Sequence, residues 1–288
     1  MGVGFVNNVK TAILMGALMG LIVAAAAAIG GPQALVPALV IGGVMNIGAF
    51  LFSHKIAIAS MRGRELTAET GGDLYRMVEE LSANAGLPMP KVYLCPHQAP
   101  NAFATGPSPS KAAVAFTQGA VELLDREEMR GVIAHELAHI KNRDTLISTI
   151  AATVAGVFSM LAYWFLMFGG MGMGRGGGNP LAMIGVILLG AVGAAILKSM
   201  ISRSREFVAD ADGARIAGSP HGLVSALQKL EAYAGRVPLR QPNPAANNMF
   251  IVEPMISQAH GGGFSLGNLF ASHPPTPKRI EALLRDGY

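Results

Sequence analysis

Apolar residues fall into four long runs, separated by two polar stretches. The first run covers residues 13–29 and the second 35–52, the latter broken only by Pro37 and Asn46. Each is close to the ~20 residues that cross a bilayer core. The four residues 30–33 between them suffice for a turn, so the pattern predicts a transmembrane hairpin. A cleaved signal peptide would also begin with a lysine and an apolar core, but here the second run follows at once. Residues 146–168 and 181–197 form a second pair around the linker GGMGMGRGGGNP, which has no phosphate-loop signature and reads as a flexible turn. Gly190 and Gly193 weaken this pair, so a re-entrant or shallow hairpin stays open for it.

The polar stretches show other periods. Leu74, Met77, Val78 and Leu81 have helical spacing, and Gly86 and Pro88 stop that helix. KVYLC, NAFAT and AAVAFT are short strand candidates with Gly and Pro between them. A helix is predicted over 126–143, opened by Asp125 with Glu128 three residues later, a capping-box pattern. Further helices are predicted from Lys198 to Ala217, over 222–234 and over 276–287.

Charge sharpens this division. Only 14% of the 288 residues are charged, against about 25% in soluble domains. No charged residue lies between Lys10 and Lys55, and only Arg175 lies between Asp144 and Lys198. Residues 53–145 hold 10 basic and 11 acidic side chains and 198–288 hold 10 and 7, which excludes the basic excess of a nucleic-acid binder. Lys10, Lys55, Arg62, Arg64, Lys141, Arg143, Lys198, Arg203 and Arg205 flank one side of the hydrophobic runs, and only Arg175 the other. The positive-inside rule then places both termini and both polar segments in the cytoplasm. Cys95 is the single cysteine, so neither an intrachain disulfide nor a thiolate metal cluster is available.

The chemistry concentrates in VIAHELAHIKNRDT. His135 and His139 are one helical turn apart on one face, where two imidazoles converge on one metal ion. Glu136 lies beside them as a proton acceptor for a water activated at that ion. A catalytic zinc takes three protein ligands and keeps one open position. Glu206 and Asp210, again four apart, supply a candidate third ligand and a partner that orients a ligand histidine. Two like charges at this spacing repel unless a cation sits nearby. Asp212 points elsewhere on the wheel and is expected to be exposed; Arg203 and Arg205 fit either the acidic face or lipid phosphate.

HELAH, the downstream SREFVAD, NAFATG, the tail SHPPTPKRI and the paired hydrophobic segments together resemble the HtpX family of membrane-bound zinc metalloproteases, in the wider group that includes the CAAX prenyl protease Ste24. The resemblance covers nearly the whole chain. It implies a predominantly helical α+β fold: a zincin-type protease domain with an HExxH helix and a small β-sheet, combined with about four transmembrane helices. The segments would be a transmembrane hairpin (1–53), a first protease part (54–145), a second hydrophobic hairpin (146–197) and a second protease part (198–288). It implies one Zn2+ per subunit on His135, His139 and Glu206, with Glu136 as catalytic base. It places Asn101, Ala102, Phe103 and Ala104 on an edge strand that pairs with extended substrate, and His273 at the scissile carbonyl. It implies a multi-pass protein of a bacterial inner membrane, its site facing the cytoplasm, cleaving misfolded or damaged membrane proteins. The alternative is a zinc-binding membrane chaperone or scaffold without proteolysis.

Overall fold

The computed structural model describes residues 32–145, 205–234 and 273–285, with eight single positions between Val9 and Val23. The second hydrophobic pair (146–168 and 181–197) lies outside the described residues. After a short 3-10 turn at Pro32–Ala34 come α1 (Leu35–Ser60), β1 (Arg64–Leu66), α2 (Gly72–Ala85), β2 (Lys91–Cys95), β3 (Ala102–Thr105), β4 (Ala113–Thr117), α3 (Gln118–Leu123) and α4 (Arg126–Lys141). Residues 205–217 are helical (α5), followed by α6 (His221–Ala234) and α7 (Thr276–Arg285). This is a mostly helical α+β arrangement with one small sheet.

The sheet runs in the order β1-β2-β4-β3, with β2 parallel to β4 and the outer strands antiparallel to their neighbours. The three strand candidates in the sequence are β2, β3 and β4. The three-residue β1 was not anticipated, because REL carries no alternation long enough to see. Successive side chains point to opposite faces. Val92, Val114 and Phe116 enter the main core with Val78 and Leu81 of α2 and Val132, Ile133 and Leu137 of α4. Tyr93, Cys95, Phe103 and Ala115 face the other way, onto Ala57, Ile58 and Met61.

That second cluster explains a difference from the sequence reading. The apolar run was expected to end at Phe52, yet α1 continues past His54 and Lys55 to Ser60. Its last turns are held because Ala57, Ile58 and Met61 bury against the sheet. Higher up, Val36, Val40, Val44, Ile47 and Ile56 are each at least 59% exposed. Single exposed apolar side chains are ordinary, but a continuous row is not. A Cβ on Gly43 would lie 3.7 Å from Met19 Cε, so the first run approaches the second. Among the described residues no helix is long and apolar enough to cross a membrane; six α1 side chains lie outside that set.

Candidate metal centre

α4 carries the first site residues, and its ends are fixed locally. Asp125 Oδ1 accepts from the Glu128 backbone N–H (3.0 Å), and Glu128 Oε2 accepts from the Asp125 N–H (2.8 Å), the anticipated capping box. The helix stops at Asn142, and Arg143 takes a left-handed φ of 57°. A non-glycine residue adopts that conformation at a cost of about 1–2 kcal/mol. The turn it makes carries Asp144 back to within 3.1 Å of His139 Nδ1.

α5 crosses α4 with backbones in contact. Glu206, Asp210 and Gly213 fall at i, i+4 and i+7, one helical face. A Cβ on Gly213 would meet His135 Cα and N at 3.0 Å, so a glycine is needed where the helices touch. α6 packs as tightly on the other side, with Gly222 against the Glu127 carbonyl and Gly131 against Leu223 N. The Glu128 carboxylate then takes hydrogen bonds from Ser225 Oγ (2.7 Å) and Lys229 Nζ.

These crossings bring together His135, His139 and Glu206. Their Nε2 atoms are 3.1 Å apart, and the Glu206 oxygens lie 3.6 Å from His135 Nε2 and 3.5 Å from His139 Nε2. Ligand atoms ~2.05 Å from one tetrahedral ion stand about 3.3 Å from each other, so the spacing fits one zinc-sized ion. Each histidine has a carboxylate at its far nitrogen: Asp210 Oδ1 is 3.0 Å from His135 Nδ1, and Asp144 Oδ2 serves His139. At His139 that hydrogen bond favours the tautomer that turns Nε2 inward, and at His135 the Asp210 carboxylate stands close to Nδ1 without the alignment of a hydrogen bond.

Charge gives an independent test of fit. Glu136, Asp144, Glu206 and Asp210 are all buried here, against two buried guanidiniums, Arg205 and Arg279. Arg279 donates from Nη2 and Nε to Asp210 (2.6 and 2.9 Å) and stands 3.7 Å from Glu206, and Arg205 Nη1 reaches Asp144 Oδ1 at 3.4 Å. With the ligand histidines neutral, as metal binding requires, two negative charges remain, which a divalent cation balances; a buried carboxylate without a partner costs several kcal/mol. The field shows in the titrating groups. Burial would lower the His135 imidazole, but the Asp210 and Glu206 carboxylates raise it to about 10. Burial pushes Glu206 up, yet His273, His139 and His135 hold it well below the usual carboxylate range. Asp210 is likewise opposed by burial and held at about 2 by Arg279.

The remaining expected residues divide. Glu136 is buried on α4, within electrostatic reach of the Arg279 guanidinium. His273 Nδ1 lies 2.7 Å from Glu206 Oε2, which brings the tail to the cluster. Asn101 is buried just before β3, whose residues Ala102, Phe103 and Ala104 form the sheet edge nearest α4. Asp212 is not simply exposed: Asn142 Nδ2 donates to it at 2.9 Å, tying α5 to the end of α4. Arg205 chooses the acidic face, through Asp144. Asp144 and Arg279 were missed as site residues. Asp144 sits five residues after His139, a spacing with no helical rationale once the helix has ended.

The sequence model of peptidase family M48 matches residues 68–286. The chain is 46% identical over 283 residues to a "Protease HtpX homolog" of Desulfatibacillum aliphaticivorans, covering 96% of this chain and 89% of that one. It is 45% identical over 286 residues to a protein of the same description from Pyrococcus furiosus, covering 98% and 96%. The crystal structure of S. mikatae Ste24p superposes with a TM-score of 0.53 at 19% identity, over 97% of this chain and 65% of that chain. At that identity the likeness is one of fold.

Proposed function

The chain belongs to peptidase family M48 and is a metalloprotease, and from that premise we propose a membrane-bound zinc endopeptidase with Glu136 as its general base. The observation that carries the reading is the convergence of His135, His139 and Glu206 within one ion's reach, backed by the excess of buried carboxylates over guanidiniums around them. Zinc held by those three residues supplies Lewis acidity to a water and to a peptide carbonyl.

The chain's own groups do the rest. Asp210 and Asp144 hold the two imidazoles with Nε2 inward. Glu136 accepts the proton of the attacking water and returns it to the leaving amine, so no acyl-enzyme forms. His273 stands at the rim beside Glu206 and donates to the oxygen that gains charge in the tetrahedral state. The outer edge of β3, residues Ala102–Thr105, offers main-chain groups to an extended substrate. Asn101, just before it, steadies the turn that presents the strand: its N–H donates to Thr117 Oγ1 at 2.8 Å. The exposed apolar row of α1 fits residence in a bilayer, which makes membrane-embedded or emerging polypeptides the favoured substrates.

The test compares detergent-purified wild type and Glu136→Gln on an unstructured casein, with zinc content measured on both. Equal zinc with cleavage reduced about 10²–10⁴-fold in the variant is expected. A variant that cleaves like wild type, or a fully zinc-loaded wild type that cleaves nothing, overturns the assignment; the second outcome would favour a zinc-binding scaffold.

A further inference from the structure

On the sheet face opposite the metal centre, a cavity of about 550 Å³ opens between the foot of α1 and the strands. Its floor is apolar, from Ile58 and Met89 to Ala112 and Ala113, and its rim carries His54, Lys55, Lys91 and Lys111. Lys91 is already matched: its Nζ lies 2.9 Å from Glu65 Oε1, and Tyr93 OH donates to the same carboxylate at 3.2 Å. Lys55 and Lys111 have no carboxylate partner among the described residues; Lys55 lies over the Phe52 ring at 5.7 Å. Within the cavity wall His54 Nδ1 is buried and has no hydrogen-bond partner among the described residues. The cavity therefore combines an apolar floor, unmatched positive charge and an unused polar atom.

Its place in the fold selects the ligand. Lys55 comes three residues after the exposed apolar pair Leu51 and Phe52 of α1, so the cationic rim stands where an inserted helix meets headgroups. We propose that this cavity binds the phosphate of an anionic phospholipid, with the glycerol and first acyl carbons against Ile58 and Met89. This rests on the membrane reading of α1. A peptide is the weaker fit: substrate at the β3 edge runs beside α4, whereas this cavity is walled by Lys91 and Tyr93 of β2.

The full-length, zinc-loaded chain is first incorporated into neutral phosphatidylcholine nanodiscs. Failure to incorporate refutes the membrane reading, and with it this site. Once incorporation is established, the detergent-purified chain is equilibrated with equal phosphatidylglycerol and phosphatidylcholine, and retained lipid is read by native mass spectrometry. Wild type is expected to retain phosphatidylglycerol preferentially. Lys55→Gln with Lys111→Gln is expected to lose about five-fold in preference per lysine at low salt, with zinc content unchanged. Equal retention of both lipids by wild type, or equal preference in wild type and a variant that still binds zinc, overturns the proposal. Displacement of the lipid by excess inorganic phosphate or by an acidic peptide would assign the cavity to those ligands instead.

Discussion

Among the described residues Arg279 is the largest fully buried side chain, and a single substitution can remove its grip on the metal centre. Its guanidinium grips both oxygens of Asp210, which in turn lies at His135 Nδ1. Arg279→Met keeps the volume and removes the charge. Asp210 is then left buried among Glu206 and Glu136 without its counter-charge. Removing one partner of a buried pair costs about 3–5 kcal/mol. For a domain of this size that is a fall of roughly 6–20 °C in Tm. The second effect is specific to the metal. An unanchored Asp210 orients His135 less well, and loss of such a partner lowers metal affinity about 10–100-fold. The assay is zinc titration against a competing chelator, paired with thermal unfolding in detergent. Asp210→Asn in the Arg279→Met background removes the stranded charge, so the double variant should be more stable than the sum of the single losses. Unchanged zinc affinity in a stably folded Arg279→Met would refute the argument. So would strict additivity in the double variant, because the pair would then not be coupled.

Two other substitutions test the packing and the charge that hold the ligand helices. Gly213→Ala places a methyl 3.0 Å from His135 backbone atoms that cannot move aside; we expect about 1–3 kcal/mol of destabilisation and weaker zinc binding, and a variant matching wild type in both would show that α5 tolerates a wider crossing. The buried Glu128 carboxylate is bonded to the partly exposed Lys229 and Ser225, and although burial pushes its carboxyl up, those partners hold it below its ordinary 4.5. A depressed carboxyl stabilises the fold fully above its unfolded value and loses that contribution as pH falls through the folded one. Glu128→Gln should therefore cost about 1–2 kcal/mol near neutral pH, with the gap to wild type closing as pH falls below the ordinary 4.5; a gap that stays constant on acidification would rule out the ionised pair as its source.

The sequence is most legible where chemistry imposes a local period. The i, i+4 spacing of His135 with His139 and of Glu206 with Asp210 needs only a helix, and both pairs stand on helices facing the same space. The capping box at Asp125 is equally local. What escaped is what depends on two segments at once. Arg279 reads as one basic residue of an amphipathic helix until α7 is laid against α5. Asp144 reads as a loop charge until the left-handed turn at Arg143 returns it to His139. Asp212 reads as solvent-facing on its own helical wheel, where it pairs with Arg215, until Asn142 of another segment is seen to tie it to the end of α4. The extension of α1 to Ser60 was hidden for the opposite reason: two polar residues, His54 and Lys55, interrupt a pattern that resumes with Ala57, Ile58 and Met61.

The site is completed by parts of the chain that are far apart in sequence. His135, His139 and Asp144 precede residue 146; Glu206 and Asp210 follow residue 204; His273 and Arg279 follow residue 272. Each part carries a charge or a polar atom that another part answers: Asp144 for Arg205, Asp210 for Arg279, Glu206 for His273. Joining them concentrates four carboxylates in one buried volume with two guanidiniums. An apolar core could join the same helices at no electrostatic cost, and α4, α5 and α6 do share one through Ile133, Ala209 and Leu227. The charged junction is therefore not what folding alone requires. It is stable when a cation occupies it, so the feature that makes the apo arrangement costly is the one that makes it bind metal.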